Sequence, residues 1–371
     1  MLIIVNATAI KEGGGLSILQ EFLYALEKHN VNDEYLIFLR DDLNIEKTNG
    51  FNIKLVRVNI VSLIERFLWD YHNLKKWLKV NNIKPDLIIS LQNLCINYQE
   101  ADQIVYYHQP IPLYSYNWNP LSKNEIKYFF YNIAYPFLVK LFLNEKTLFI
   151  TQLECIKKRF IERYKINGDK VIVIRPYSKL NFYNKKIKKN ILNENYIHFI
   201  YPATPYIYKN HIILVKALKI LKNIKLSDNI RIHLAGCENN KNIKFVNEIH
   251  KCKLDDNFIF HGRVEFDKCI ELLSSVDAIL FPSFLETFGL PLLEGAALGK
   301  KIICSDIDYA REVLNDYDNV IFIDPKNAEK WAEEIVNVRN KHDVCKKPLN
   351  LFNDEWLKLF DVIDKLRKRK I

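Results

Sequence analysis

The sequence predicts an α/β protein with two doubly wound domains, each built on a parallel sheet. Its 371 residues suit two domains of ordinary size better than one. In both halves short β-rich runs alternate with helical patterns, which gives crossover connections and parallel strands. Between Arg175 and Glu194 this alternation stops, at a proline, several asparagines and a lysine cluster. We therefore expect an N-terminal domain over 1–180, a C-terminal domain over 190–352 and a final helix in 353–371 that packs back toward the N-terminal domain.

The individual elements follow from apolar spacing, with a period of about 2 for strands and about 3.6 for helices. The strands predicted for the first domain are Leu2–Val5, Tyr35–Leu39, Ile53–Val58, Leu87–Ile89, Ile104–Tyr107, Leu148–Ile150 and Val171–Ile174. Its predicted helices are Ser17–Lys28, Leu63–Val80, Lys123–Leu143 and Leu153–Tyr164. The strands predicted for the second domain are Ile197–Tyr201, Ile230–Ala235, Phe258–Phe260, Ala278–Phe281, Lys301–Cys304 and Val320–Ile323. Its predicted helices are Asn210–Leu221, Lys241–Cys252, Phe266–Ser274, Pro291–Leu298 and Ala328–Arg339. Two such domains would bind ligands at the carboxyl ends of their strands, in a cleft between them.

The net charge of +10 is concentrated in one segment of the chain. Residues 123–189 carry 16 Lys and Arg against 5 Asp and Glu, whereas the rest carries 38 against 39. In the helix predicted over 123–143, lysines are mixed with aromatic residues, which suits an anionic membrane surface. The same aromatic residues are equally typical of a buried helix face. The lysines are Lys123, Lys127 and Lys140, and the aromatic residues are Tyr128, Phe129, Phe130, Tyr131, Tyr135, Phe137 and Phe142.

The composition disfavours several classes of protein. No apolar run is long enough to span a bilayer, and Met1 leads into a strand pattern rather than a signal peptide. The seven cysteines are odd in number and lack metal-ligand spacing, as expected in a reducing cytoplasm. No nucleic-acid-binding module accompanies the basic segment. We expect a cytoplasmic protein that binds no nucleic acid and makes a peripheral contact with the inner face of the cytoplasmic membrane.

The strongest functional signal is the segment Phe281–Gly295, which joins a predicted strand to a predicted helix. Gly289 permits close approach of a ligand to the backbone, and Pro291 suits the first turn of a helix. The free N–H groups and the dipole at that helix start form an anion site that suits a diphosphate. Glu286 before the helix and Glu294 in its first turn are placed to accept hydrogen bonds from sugar hydroxyls. An arbitrary pair of glutamates is more often structural, but the flanking residues favour a ligand site here.

A second group of residues follows the predicted strand that ends at Tyr201. Lys209 and Asn210 stand where the next helix opens. A lysine at a helix start is electrostatically unfavourable, which suggests a functional reason for its presence. Lys209 would place a point charge on a phosphate that backbone amides also bind. We expect both Lys209 and Glu294 to face a solvated cleft.

Two weaker signals lie in the first domain. Gly13, Gly14 and Gly15 form a glycine-rich loop before the first helix. Such a loop permits close approach to a phosphate or an acceptor group, and it is equally typical of a tight connection. His108 follows the strand pattern of residues 104–107, and from that strand end it can reach a cleft.

The segment around the two glutamates resembles family 4 of the glycosyltransferases, a large retaining family with the GT-B fold of two Rossmann-like domains. The family signature is two glutamates separated by seven residues, which Glu286 and Glu294 match within Glu-Thr-Phe-Gly-Leu-Pro-Leu-Leu-Glu-Gly. The resemblance implies that Glu286 contacts the donor sugar and is catalytic, and that Glu294 binds the ribose. The loop residues that it implies for the donor sugar and diphosphate are Thr287, Phe288, Gly289 and Leu290.

The resemblance extends to the other groups of residues. The family places Lys-Gly or Lys-Asn at the position of Lys209, where the lysine grips the donor diphosphate and acts in catalysis. It often has a histidine near the transferred sugar, at the position of His108. Its N-terminal glycine-rich loop faces the cleft, which implies donor contacts for Gly14 and Gly15.

Two further positions concern the nucleotide. His261 and Arg263 follow the predicted strand Phe258–Phe260, and Arg263 is expected near the nucleotide base. Many family members also carry an arginine six residues before the lysine. Ala203 occupies that position here, so one contact to the diphosphate is missing.

The resemblance implies transfer of a hexosyl group, with retention, from a nucleoside-diphosphate sugar to a lipid-linked glycan, as in bacterial O-antigen and capsular polysaccharide glycosyltransferases. No cofactor or metal is expected, because amides, the helix dipole and Lys209 would stabilise the leaving diphosphate. Asp306 and Asp308 look like the metal-binding Asp-x-Asp of the other glycosyltransferase fold, but we expect them in a polar strand-to-helix turn. Two alternatives remain open, a sugar-nucleotide epimerase on a similar fold and a non-catalytic nucleotide-sugar-binding protein.

Overall fold

The computed structural model of the chain describes residues 1–29, 32–43, 45, 52–178, 187, 192–240, 243–340, 348–349 and 354–369. The chain divides into two compact units. Unit 1 comprises Met1–Tyr177 together with Asn353–Ile371, and unit 2 comprises Ser178–Phe352. Most of the predicted boundary segment, including the lysines of residues 185–189, lies outside the described residues.

Unit 1 contains a sheet of seven parallel strands, in agreement with the sequence. The strands are β1 (Leu2–Asn6), β2 (Glu34–Arg40), β3 (Ile53–Val58), β4 (Leu87–Ser90), β5 (Asp102–Tyr106), β6 (Thr147–Thr151) and β7 (Val171–Val173). The α-helices are α1 (Gly13–His29), α2 (Leu63–Leu68), α3 (Leu74–Val80), α4 (Ile126–Lys140), α5 (Glu154–Tyr164) and α12 (Leu357–Lys368). The strand order is β3-β2-β1-β4-β5-β6-β7, so the direction of winding reverses between β1 and β4.

The C-terminal segment of the chain is part of the core of unit 1. It contributes Trp356 and three apolar residues of α12 to the cluster that β1 and α1 also line. The Trp356 indole N–H donates to Glu21 Oε2 at 3.2 Å, and its ring stacks on Tyr106 with centroids 5.7 Å apart. The core of unit 1 therefore includes residues of the segment 353–371, which follows unit 2 in the sequence.

Unit 2 contains a sheet of six parallel strands, again in agreement with the sequence. The strands are β8 (Ile197–Pro202), β9 (Ile230–Ala235), β10 (Phe258–Gly262), β11 (Ala278–Phe281), β12 (Lys301–Ser305) and β13 (Val320–Ile323). The helices are α6 (His211–Asn223), α7 (Lys244–Lys251), α8 (Phe266–Ser275), α9 (Leu290–Ala297), α10 (Asp308–Val313) and α11 (Ala328–Asn340). The order is β10-β9-β8-β11-β12-β13, with the reversal between β8 and β11. Open α/β sheets bind ligands at the carboxyl ends of the strands beside such a reversal.

The first helix starts earlier than predicted. α1 begins at Gly13 rather than at Ser17, so the three glycines form its first turn and not a loop. Gly13 has a φ of +66°, a left-handed value that glycine adopts without steric cost. The chain can therefore turn directly into the helix at this point.

Two other helices of unit 1 also differ from the prediction. The helix predicted over 63–80 is divided into α2 and α3 by a π-helical turn, Trp69–Asn73. α4 is shorter than predicted, because Ser122 accepts turn hydrogen bonds from Glu125 and Ile126 ahead of it, and both Lys123 and Phe142 lie outside the helix. No helix in the described part of the chain combines the length and the hydropathy that a membrane span requires.

Candidate active site

The connection between β11 and α9 turns at Gly289. This residue has a φ of +90° and caps α9, whose first turn contains Pro291. The first turn of an α-helix has N–H groups without intrahelical partners, so its start favours an anion. Gly295 lies farther along α9, where a Cβ would collide with Ile279 Cδ1 of β11. The missing side chain thus lets α9 pack close to the sheet, with its N-terminus at the carboxyl edge.

Lys209 and Glu286 form an ion pair at the same edge. Lys209 ends a 3₁₀ turn after β8, and Glu286 lies in the connection after β11. Lys209 Nζ donates to Glu286 Oε1, and the two side chains are only 17% and 12% exposed. Lys209 is partly exposed, with Glu286 and the Tyr208 ring, 5.7 Å from Nζ, beside its ammonium group. The neighbouring parallel strands β8 and β11 bring these two predicted residues together.

Hydrogen bonds between the two connections fix the ion pair in place. The buried Tyr201 hydroxyl donates to the carbonyl of Lys209 at 2.7 Å, and burial raises the pKa of that hydroxyl well above its usual range. The N–H of Phe284 donates to the carbonyl of Tyr208 at 2.8 Å. Each bond satisfies a polar group that would otherwise be buried without a partner. The backbone on both sides of the ion pair is therefore constrained before any ligand binds.

Asn210 and His211 complete this part of the site. Asn210 adopts a left-handed conformation with a φ of +55°, and its side-chain amide donates to the carbonyls of Pro282 and Pro325 at 3.2 and 2.8 Å. Asparagine tolerates that conformation better than most residues, so it suits the entry to α6. His211 is buried, and burial lowers its pKa to about 3. The imidazole is consequently neutral, and its Nε2–H donates to the carbonyl of Ala203 at 3.2 Å.

Glu294 differs from the prediction in two respects. It lies in the second turn of α9 rather than in the first, and it is only 8% exposed instead of facing solvent. Leu292, Gly295 and Ala296 are buried as well, so burial of α9 extends around more than one side of the helix. Ser178 Oγ donates to Glu294 Oε1 at 3.3 Å. Buried carboxylates require hydrogen-bond donors, a role that sugar hydroxyls can fill.

His261 ends a row of three histidines across β8, β9 and β10. His198 Nε2 lies 3.1 Å from the carbonyl of Asn193, which can only accept, so His198 carries its proton on Nε2. His233 Nε2 then donates to His198 at 3.0 Å, and His261 Nε2 donates to His233 at 2.8 Å. Burial lowers the pKa of His233 to about 4 and also lowers the pKa of His261. His233 and His261 are therefore neutral at pH 7, and Arg263 lies exposed just beyond the row.

Gly15 and His108 line a pocket of about 270 Å³ in unit 1, beside the reversal between β1 and β4. A Cβ on Gly15 would lie 3.9 Å from His108 Nε2, whereas Gly14 in the same turn has open space around it. His108 Nδ1 has no hydrogen-bond partner among the described residues. Burial, together with the positive charge of Arg66, lowers the pKa of His108 to about 4. The neutral imidazole lines the pocket, so it adds a polar group without a charge to the pocket wall.

A buried hydrogen-bond network, which was not predicted from the sequence, lies beneath this pocket. Asp70, in the π-helical turn, accepts hydrogen bonds from the side-chain amides of Asn6 and Gln92, each at 2.8 Å. Gln92 in turn accepts from the N–H of Ala9 at 2.8 Å, and its carbonyl accepts from Arg66 at 2.9 Å. Ala9, Arg66 and Gln92 all line the pocket. Asp70 thus fixes the pocket wall from behind, and burial raises the pKa of its carboxyl to about 7.

The Asp-x-Asp segment occupies the turn between β12 and α10. Asp306 forms an ion pair with Arg311, whose Nη2 lies 2.8 Å from Asp306 Oδ2, and this partner lowers the pKa of the carboxyl. Asp308 is the first residue of α10, and its carboxylate accepts from the N–H of Tyr309 at 3.0 Å. Across the described residues, no three His, Cys, Asp or Glu side chains group in a way that could hold a metal ion.

Comparison with known proteins identifies relatives in both sequence and structure. Residues 182–348 match the sequence model of the family described as Glycosyl transferases group 1. The O-antigen chain mannosyltransferase RfbU of Salmonella typhimurium is 23% identical over 247 residues, which are 65% of this chain and 65% of that protein. The match therefore spans just under two thirds of the relative.

Solved structures match almost the whole chain. A glycosyltransferase from Rickettsia africae has a TM-score of 0.66 at 19% identity, covering 99% of this chain and 98% of that one. Alr3699/HepE of Anabaena, in complex with UDP and glucose, has a TM-score of 0.65 at 14% identity, covering 98% and 100%. Residues 182–348 are therefore similar to the glycosyl transferases group 1 family, and the chain as a whole has the GT-B fold that its sequence predicts.

Proposed function

We propose that this protein transfers a hexosyl group from a nucleoside-diphosphate sugar to a glycan acceptor, with retention of the anomeric configuration. The observation that carries the proposal is the Lys209–Glu286 ion pair, which stands just before the N-terminus of α9. A cation and free helix N–H groups suit a diphosphate, and a carboxylate suits the sugar attached to it. All of these groups lie in the segment that matches the family.

The names of the relatives support a nucleotide-sugar donor and a polysaccharide product. RfbU is named as a mannosyltransferase of the O-antigen chain, and the Anabaena structure contains UDP and glucose. We infer the same substrate classes here, with a glycan carried on a lipid as the acceptor. This proposal assigns no role to a metal or a cofactor.

In the proposed reaction the acceptor oxygen bonds to the anomeric carbon on the face from which the diphosphate leaves. The departing phosphate oxygen takes the acceptor proton, so the reaction needs no separate base. The amides of Phe288, Gly289 and Leu290, with Lys209, stabilise the charge that develops on the diphosphate. Glu286 stabilises positive charge on the sugar. The remaining roles are donor contacts by Thr287, Glu294, Gly14, Gly15 and Arg263, and a hydrogen bond from a sugar hydroxyl to His108.

The Lys209–Glu286 pair also implies how the donor binds. In the free protein Lys209 is already neutralised by Glu286, so a diphosphate must share or displace that contact. One lysine ammonium group can bind a carboxylate and a phosphate at the same time, because it has three N–H donors. Pairing before binding therefore holds Lys209 in place without removing its capacity to bind the donor.

Donor binding tests this proposal directly. The sugar nucleotide that most raises the melting temperature is first identified from a panel. Lys209→Ala and Glu294→Gln should each weaken its binding by about 1–3 kcal/mol in calorimetry, because each removes a charge-assisted hydrogen bond. Lys219→Ala, which removes an exposed lysine of α6, is the matched control and should bind normally. Normal affinity in the Lys209 variant would remove Lys209 from the donor site.

A further inference from the structure

The helix α2 exposes apolar side chains to solvent in a way that packing within unit 1 does not explain. Leu63 and Ile64 are 71% and 73% exposed, and Phe67 and Leu68 are also exposed. Within the described structure, α2 buries none of its own residues. Soluble monomers seldom leave several large apolar side chains together on one surface without an interaction to make there.

The helix α4 continues this exposed surface. Phe130 and Phe137 are exposed, the second to 74%, and so are Ile126, Ile133 and Leu141, which recur at helical spacing on the same face. The opposite face of α4 is buried through Tyr128, Tyr135 and Val139. The aromatic residues of α4 therefore divide between two faces. One face packs in the core, and the other exposes its aromatic side chains to solvent.

Side-chain contacts join the two helices into one surface. The Phe67 and Tyr71 rings stack with centroids 5.8 Å apart, and the Tyr71 ring lies 5.7 Å from that of Phe142, just beyond α4. We call the exposed apolar side chains of residues 61–71 and 126–141 the apolar face. Lys127 and Lys140 lie exposed on α4 beside it, and Lys123 precedes the helix.

We propose that the apolar face docks on an anionic lipid bilayer. Apolar side chains on a helix lying at the interface insert among the acyl chains, and neighbouring lysines bind the acidic headgroups. Charge selects this occupant over a second copy of the chain, because a symmetric dimer would bring the lysines of residues 123–140 near those of its partner. The surface is formed entirely by unit 1, whereas the Lys209–Glu286 ion pair, on which the proposed function rests, lies in unit 2.

Insertion of apolar side chains into the bilayer can be distinguished from attraction between opposite charges by the effect of salt on binding. Screening by salt weakens the attraction between lysines and headgroups but leaves the burial of apolar side chains almost unchanged. Binding should therefore weaken several-fold between low and high salt without disappearing, and it should depend on both α2 and α4.

Co-sedimentation with vesicles tests the proposal. The full chain is mixed with vesicles of phosphatidylcholine and phosphatidylglycerol, or of phosphatidylcholine alone, at low and high salt. The variants are L63S/I64S in α2 and F137S in α4. L357S and I224S are matched controls, because Leu357 and Ile224 are also exposed apolar residues but lie outside the apolar face.

We expect the wild type to bind the anionic vesicles, L63S/I64S to bind at least tenfold more weakly, and both controls to bind normally. Melting temperatures should be unchanged, because all the substituted side chains are exposed. Failure of the wild type to sediment at low salt, or equal binding by L63S/I64S, would overturn the proposal. So would a wild-type dimer that L63S/I64S converts to a monomer, since the face would then be a protein interface. Stabilisation by the sugar nucleotide is measured in parallel and reports on the donor site alone.

Discussion

At the residue scale, the proposed donor site contains two opposite charges, those of Lys209 and Glu286, that are paired in the free protein. Glu286 is largely enclosed, and its ion pair with Lys209 fixes the orientation of its carboxylate. A group held in position before the reaction stabilises charge in the transition state without the cost of reorganisation. Glu286 should therefore contribute mainly to the chemical step, whereas Lys209 contributes to holding the donor.

Substitution of Glu286 by Gln separates these two contributions. The variant keeps the size of the side chain but removes the negative charge that opposes positive charge on the sugar. We expect kcat to fall by about 100-fold or more while donor affinity changes little. The readouts are steady-state kinetics and calorimetry on the same preparation. Asp306→Asn is the control and should keep full activity, and an equal loss in affinity and kcat for Glu286→Gln would contradict the assignment.

Asp70 provides a second residue-scale test through the pH dependence of stability. Its native pKa of about 7 lies above the ordinary value of 3.8. Between these values the native carboxyl retains a proton that the unfolded chain has released, so this residue lowers stability as pH rises from 4 to 7. Asp70→Asn lacks the penalty. Relative to wild type it should gain at most about 1.4 kcal/mol per pH unit over that range, and nothing further above pH 7.

Denaturant unfolding at several pH values measures this difference. Asp361→Asn, which removes an exposed carboxyl of α12, is measured in parallel as the matched variant. A constant difference between Asp70→Asn and wild type from pH 4 to 7 would mean that Asp70 titrates normally in the native state. The sequence contains a signal for this residue, since Asp70 lies four and eight positions before the buried Leu74 and Leu78. A charged residue on the apolar stripe of a helix indicates a buried polar network.

At the element scale, helix and strand positions were largely predictable, whereas the ends and irregularities of helices were not. Most strands of both sheets contain a run of apolar residues between polar connections, such as Leu-Ile-Ile-Val in β1 and Ala-Ile-Leu-Phe in β11, a pattern that leaves few alternatives. The start of α1 was missed because glycine-rich residues are read as a loop, although Gly14 and Gly15 adopt helical geometry. The π-helical turn was not predicted, because such a turn adds one residue to a helix but leaves the apolar spacing before and after the turn unchanged.

Close packing of α9 on β11 can be tested at Gly295. A methyl group at this position would collide with Ile279 Cδ1. Gly295→Ala should therefore destabilise the protein by about 1–3 kcal/mol despite the better helix propensity of alanine. Ile279→Val removes the colliding atom, so the double variant should lose less stability than the sum of the two single variants. Additive losses in denaturant unfolding would show that the collision is relieved in another way.

At the scale of the whole molecule, the sequence predicts the fold and the family because the glutamate motif and the alternation of elements agree. Residues in contact through loops were harder to predict, since the contact of Lys209 with Glu286 depends on the strand order around β8 and β11. The exposure of α2 was also unpredictable, because Leu-Ile-Glu-Arg-Phe-Leu resembles an ordinary buried helix, whereas in the described structure none of these residues is buried. Apolar spacing indicates which side chains avoid water, but it does not distinguish a protein core from a lipid surface.

The measurement that tests the central claim most directly is NMR of the product anomeric centre, with the reaction run in the presence of a chelator. The donor is the sugar nucleotide selected by its effect on melting temperature, and the acceptor is a glycan to which it transfers. The account predicts transfer with the anomeric configuration of the donor retained, at a rate that the chelator does not change. An inverted anomeric centre would contradict the retaining mechanism, and a sugar nucleotide that is bound or epimerised but never transferred would contradict the proposed function itself.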